Sequence, residues 1–152
     1  LPGDRPEPKV IYTMETIYSG QAIPPGGRKT FHLSLIACNA LSEMTYAGKH
    51  LLINVPQKII ALKDGAATIP FQISSPRLLS QGTLEVMALT TSGKEAARSQ
   101  FKISDLTPLA RQEQTVTLSG LTGNDYQLQV RLLDRNGGQL AEAILPGITL
   151  AK

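Results

Sequence analysis

Thr115-Val116-Thr117-Leu118-Ser119-Gly120-Leu121-Thr122-Gly123-Asn124-Asp125-Tyr126-Gln127-Leu128-Gln129-Val130-Arg131-Leu132-Leu133-Asp134-Arg135-Asn136-Gly137-Gly138 is the stretch that decides the fold. Its second half alternates strictly: Tyr126, Leu128, Val130 and Leu132 on one side, Gln127, Gln129 and Arg131 on the other. Successive side chains of a strand point to opposite faces, so this is a strand of an antiparallel sheet with one face in the core and the other in water. Val116 and Leu118 make the tail of a preceding strand, and Leu121 is an apolar plug inside an otherwise polar connection.

The same period-two pattern extends outward in both directions. Leu84, Val86, Ala88 and Thr90 lead to a turn at Thr91-Ser92-Gly93, and Ala97, Ser99, Phe101 and Ile103 return from it. Lys58–Leu62 and Ala67–Ser74 flank Asp64-Gly65, the strongest short-range hairpin signal, and Pro70 places the second arm at a sheet edge or on a bulge. Leu51, Ile53 and Val55 run to Pro56, and Gln139–Leu145 is a last arm stopped by Pro146-Gly147. Nearer the start, Val10–Tyr18 and Phe31–Cys38 read as strands separated by a turn in Ile23-Pro24-Pro25-Gly26-Gly27. Residues 39–48 and Ser104–Arg111 each fit either one helical turn or a loop. Residues 1–9, rich in proline and charge, are an extended leader.

The Val116–Gly138 segment resembles the E to F corner of fibronectin type III and other immunoglobulin-like sandwiches. The shared features are a strand, a core-plugging Leu121, a short polar turn, and Tyr126 heading an alternating strand that ends in an Asp-x-x-Gly-type turn. The resemblance implies that the Tyr126 hydroxyl bonds to backbone a few residues upstream. It departs from fibronectin type III in having no Trp, and its Leu-to-Tyr spacing looks one residue short. Together with turn signals every 8 to 12 residues or so, it gives an all-β antiparallel immunoglobulin-like β-sandwich of about eight to ten strands. Residues 10–152 are expected to form a single domain, because the N-terminal strands are apolar on both faces and need the same core as Tyr126 and Leu128.

Composition narrows the function. The chain has 152 residues, 41% of them hydrophobic, enough to build a core without disulfide or metal staples. A run of about 18 apolar residues, as a membrane helix needs, does not occur. The net charge is +3, but the basic residues are scattered, with Arg28-Lys29 the one adjacent pair, so the footprint of a nucleic-acid binder is missing. The single cysteine, Cys38, makes no intrachain disulfide and reads as a small core residue. The chain opens at Leu1 instead of Met, and the expectation is a removed leader or a piece of a longer protein.

Catalytic motifs are lacking. The two histidines, His32 and His50, sit in no zinc or triad pattern, and no phosphate-cradling or dinucleotide-binding glycine motif occurs. Cys38, Met44 and His50 fall close enough to raise copper, but core filling accounts for the first two, and no metal or other cofactor is expected. Ser99-Gln100-Phe101-Lys102 matches Ser-x-x-Lys, yet on a strand residues three apart face opposite sides. Glu85, Glu95, Asp105, Glu113 and Asp125 read as isolated, solvated carboxylates on arms and turns. No catalytic, cofactor-binding or metal residue is therefore assigned, and the binding residues stay unknown at this level.

The expectation is a non-enzymatic module for protein–protein interaction, assembly or adhesion. It would hold another protein through loops or a sheet edge, in the periplasm or outside a bacterial cell, with no nucleic acid and no membrane span. The alternative is a carbohydrate- or substrate-binding accessory domain of a larger enzyme, with Tyr12, Tyr18 and Tyr46 as its available tyrosines.

Overall fold

The structure is a computed structural model, and it describes residues 24–28, 30, 40–41, 43–123 and 125–151. The leader 1–9, the strands expected at Val10–Tyr18 and Phe31–Cys38, and with them His32 and Cys38, lie outside the described residues. Packing divides the chain into a unit Leu1–Ser34 and a unit Leu35–Lys152. In the first, the expected turn is present: Gly27 N–H donates to the Pro24 carbonyl at 2.8 Å.

The second unit is built of β1 (Tyr46–Ala47), β2 (Leu52–Asn54), β3 (Ile59–Ala61), β4 (Ala66–Ser74), β5 (Leu79–Thr90), β6 (Glu95–Leu106), β7 (Gln112–Ser119), β8 (Tyr126–Asp134) and β9 (Gln139–Ala151). These form a 4-stranded sheet in the order β1-β2-β4-β7 and a 5-stranded sheet in the order β3-β9-β8-β5-β6. It is an all-β immunoglobulin-like sandwich: β8 and β5 are neighbours at the centre of one sheet, β4 and β7 pair in the other, and β7 crosses between sheets into β8 at the tyrosine corner. The inward residues of β4 (Ala67, Ile69, Phe71, Ile73), β5 (Leu84, Val86, Ala88) and β8 (Tyr126, Leu128, Val130, Leu132) are all buried and share one core. Where antibody domains place the second cysteine of their inter-sheet bridge, two residues after the corner tyrosine, this chain has the fully buried Leu128.

At the corner, Gly123 N–H donates to Tyr126 Oη at 2.5 Å, and both the Tyr126 ring and Leu121 are buried. The Leu121 N–H is in turn held by the Gly65 carbonyl at 2.9 Å, tying the connection to the turn before β4. The β5–β6 hairpin also forms as the alternation predicts, with Phe101 opposite Leu84 and Ser99 opposite Val86.

Five local expectations are corrected. Asp64 (φ 52°) and Gly65 (φ 73°) do make the left-handed pair of a hairpin turn, with Lys63 and Ala66 exchanging both backbone bonds. Beyond that single bridge the arms part: β4 pairs with β2 and β7, whereas β3 crosses to the other sheet and runs parallel to Thr149–Ala151 of β9. The sandwich is therefore not purely antiparallel. Secondly, Pro146-Gly147 does not stop the last strand. Gln129 faces Ile144 and Gln127 faces Thr149, so residues 145–148 bulge out opposite Leu128. Proline has no donor to lose there and Gly147 takes φ 68°, after which β9 rejoins the ladder with Leu145 and Ile148 tucked inward and buried.

Thirdly, of the two readings open for residues 39–48 and Ser104–Arg111, the described residues show no helical turn. Tyr46–Ala47 is a short strand, and Thr107-Pro108-Leu109-Ala110 is a tight turn closed by Ala110 N–H to the Thr107 carbonyl at 3.2 Å. Fourthly, Leu51–Val55 is buried on both faces, because Leu52 and Asn54 on the outer face are covered as well as Leu51, Ile53 and Val55 on the inner. Pro70 lies in a central strand, but β2 ends at Asn54 opposite Gln72, so one flank of β4 is unpaired where the proline sits.

Candidate functional site

The polar constellation of this molecule lies on the outer face of the five-stranded sheet. The cross-strand registers place Glu85 opposite Arg131 on one side and Gln100 on the other, and Met87 opposite Arg98. Glu85 is buried to 8% exposure and takes Arg98 on Oε1 at 3.1 Å and Arg131 on Oε2 at 3.4 Å. Each arginine reaches a second acid: Arg98 binds Glu95 at 2.6 Å and Arg131 binds Glu142 at 2.9 Å. The Arg98 hydrogen bond holds the Glu95 carboxyl below the ordinary carboxylate range, and the Arg131 bond does the same for Glu142. Glu95, in turn, raises the Arg98 guanidinium. Glu85 and Glu95 are thus not the isolated, solvated acids expected from the sequence. The arginines that meet Glu85 stand 13 and 46 residues away in the chain, and only the sheet register brings them together.

Beside this ladder, β6 forms one border of the sheet, paired on one side with β5 alone among the described residues. Near its end a side chain takes the place of a neighbouring strand. Gln112 Nε2 donates to the Lys102 carbonyl at 3.0 Å, and Ser104 N–H reaches Gln112 Oε1 at 3.5 Å. The carboxamide thereby fills the slot of one peptide unit opposite Ile103. Because Lys102 and Ser104 turn their backbone groups outward there, strand alternation turns those of Arg98 and Gln100 outward as well, up to the register shift at Ala96. No β-ladder partner meets them among the described residues. Below this border Ala97, Ser99 and Phe101 are only partly buried, at the seam between β6 and β7.

The remaining residues named from sequence are dispersed. Met44 is 49% exposed. His50 is half-buried, and burial together with Arg77 and Lys49 lowers its pKa from the usual 6.5. Among the described residues no group of three His, Cys, Asp or Glu lies close enough to hold a metal ion. Ser99 faces inward opposite Val86, while Lys102 faces outward and donates to Thr83 Oγ1 at 3.1 Å, so the Ser-x-x-Lys pair is split across the sheet. Tyr46 is half-buried against the core and Tyr126 buried in the corner, and Tyr12 and Tyr18 lie outside the described residues.

No family profile matches the chain, and no curated protein matches it either. Solved structures with similar strand arrangements are distant. A glycosyl hydrolase family 2 member from Bacteroides cellulosilyticus is 16% identical with a TM-score of 0.45, over 67% of this chain and 13% of that one. WR4, a C. elegans MSP family member, is 15% identical with a TM-score of 0.39, over 65% of this chain and 95% of that one. The Pseudomonas fluorescens alkylpurine DNA glycosylase AlkC, bound to DNA containing an abasic site analog, is 17% identical with a TM-score of 0.36, over 70% of this chain and 32% of that one. The chain thus spans a small fraction of the hydrolase that it matches. Its sandwich is defined by its own strand order and by the Tyr126 corner.

Proposed function

We propose that this chain is a non-enzymatic protein-interaction module that takes an extended segment of a partner protein as an added strand on β6. The observation that carries this reading is the run of outward backbone groups at Arg98 and Gln100, bounded at one end by the register shift at Ala96 and at the other by the Gln112 carboxamide. Main-chain bonding supplies affinity in strand addition, and alternate side chains supply selectivity. One side of an added strand would meet Ala97, Ser99 and Phe101 at the seam, favouring small or apolar residues. The other would lie beside Arg98 and Lys102, favouring acids. On sequence grounds we place the module in the envelope of a bacterium or in a secreted protein.

The test is a peptide selection on the folded protein followed by amide exchange. Selected peptides should be extended and should slow exchange at Arg98 and Gln100. Gln100→Pro removes a donor that β5 does not use, so it should keep the fold and abolish binding. Peptides that leave these two amides unprotected, or that bind the proline variant equally well, would overturn the reading.

A further inference from the structure

At the end of the outer face where β8 turns into β9, the charge ladder stops and a notch of about 330 Å³ opens. It is lined by Gln81, Gly82, Thr83, Lys102, Ser104 and Arg135, with the backbone of Ile103 in its wall. Gly82 borders it with backbone alone: between Gln81 and Thr83 it faces the inner side of the strand, where a Cβ would stand 2.8 Å from the Leu133 carbonyl oxygen. Gln81 and Ser104 are paired across β5 and β6, as are Thr83 and Lys102, so all four present their side chains on the same outer face.

Two cations line this notch, Lys102 and Arg135. Arg98, Arg111 and Arg131 are each ion-paired, whereas among the described residues neither Lys102 nor Arg135 makes an ion pair. The neighbouring acid, Asp134, is spoken for: its Oδ1 accepts the N–H of Asn136 at 2.7 Å and of Gly138 at 2.8 Å, closing the turn. Lys102 Nζ lies on Thr83 Oγ1 at 3.1 Å. That bond uses the hydroxyl as an acceptor, so the Thr83 hydrogen remains available as a donor, as do those of Ser104 and Gln81. An ammonium, a guanidinium and three neutral groups able to donate around one small hollow form a set that suits an anion.

We propose that this notch binds a doubly charged oxyanion, a phosphoryl or sulfate group. Two cations in the lining favour a dianion over a monoanion. The site is on the side-chain face of the sheet, so it stands whether or not β6 accepts a strand.

The probes are inorganic phosphate, sulfate and acetate at constant ionic strength, followed by amide chemical shifts of the whole chain. Phosphate and sulfate should give saturable shifts confined to Gln81–Thr83, Lys102–Ser104 and Arg135, and acetate should bind at least about tenfold more weakly. Phosphate should tighten between about pH 5.5 and 7.5 as it loses its second proton, while sulfate stays flat, which separates the two sources. The charged groups at the notch are Lys102 and Arg135 in its lining and Asp134 beside Arg135. Lys102→Met with Arg135→Gln, both exposed, should weaken phosphate at least about tenfold without altering the rest of the spectrum. Thr83→Val provides a milder variant that keeps both charges. Shifts that fail to saturate, that spread over the other lysines and arginines, that acetate reproduces, or that survive the double substitution would overturn the proposal.

Discussion

Removing one oxygen from Tyr126 tests the corner on which the two sheets meet. Tyr126→Phe retains a ring that is 5% exposed, so its burial and packing are unchanged and the loss reduces to the single bond from Gly123 N–H at 2.5 Å. Gly123 lies at the surface, where water can solvate the freed N–H, so the penalty for a buried orphan donor does not apply. The expected loss is about 1 kcal/mol, which for a domain of this size lowers Tm by about 3–5 °C. A second substitution isolates the same contact from the other side. A Cβ on Gly123 would stand 2.8 Å from Tyr126 Oη, so Gly123→Ala should also break the bond. In the Tyr126→Phe background the clash partner is gone, and the alanine should then cost less than it does alone. Thermal melts of the four proteins complete the cycle, and the expected coupling is about 0.5–1 kcal/mol. If Tyr126→Phe melts with the parent, or if the two substitutions simply add, the hydroxyl is not what fastens the corner.

Other outcomes follow from the outer face. Glu85→Ala leaves Arg98 and Arg131 close together, but each retains another acid and is partly exposed, so the expected destabilisation in urea unfolding is about 1–2 kcal/mol, below the loss for a fully buried pair; an unchanged midpoint would refute the bridging role. Glu95 and Glu142 have lowered pKa values in the fold, so they hold fewer protons folded than unfolded. Stability should therefore be lost as pH falls below about 4.5, and Glu95→Gln should flatten that part of a Tm-against-pH curve. His50 is lowered from 6.5 in the same sense, so a further decline should begin as pH drops through that value and be reduced in His50→Gln.

The sequence by itself determined which residues face the core. The alternation of Tyr126–Leu132, of Leu84–Thr90 and of Ala97–Ile103 is a local property of the extended chain, and every side chain it assigns inward on β5 and β8 is buried except Thr90 at the strand end. The tyrosine corner was legible for the same reason, since Gly123 and Tyr126 are three residues apart. The Asp64-Gly65 turn was legible too, but not what its arms do afterwards. Turn geometry is set by the turn residues, whereas the choice between an antiparallel partner next door and a parallel one near residue 150 depends on which edge has an open ladder once both sheets exist. Pro146-Gly147 poses the same ambiguity: locally it ends a strand, and only the pull of Leu145 and Ile148 into the core makes it a bulge from which pairing resumes. The outer-face ladder and the notch were least visible. Glu85, Arg131 and Glu142, like Lys102 and Arg135, stand far apart in the chain, and each alone is an ordinary surface charge. Register across neighbouring strands brings them together on one face, and register is a property of the assembled sheet, fixed by the summed burial of every residue in it.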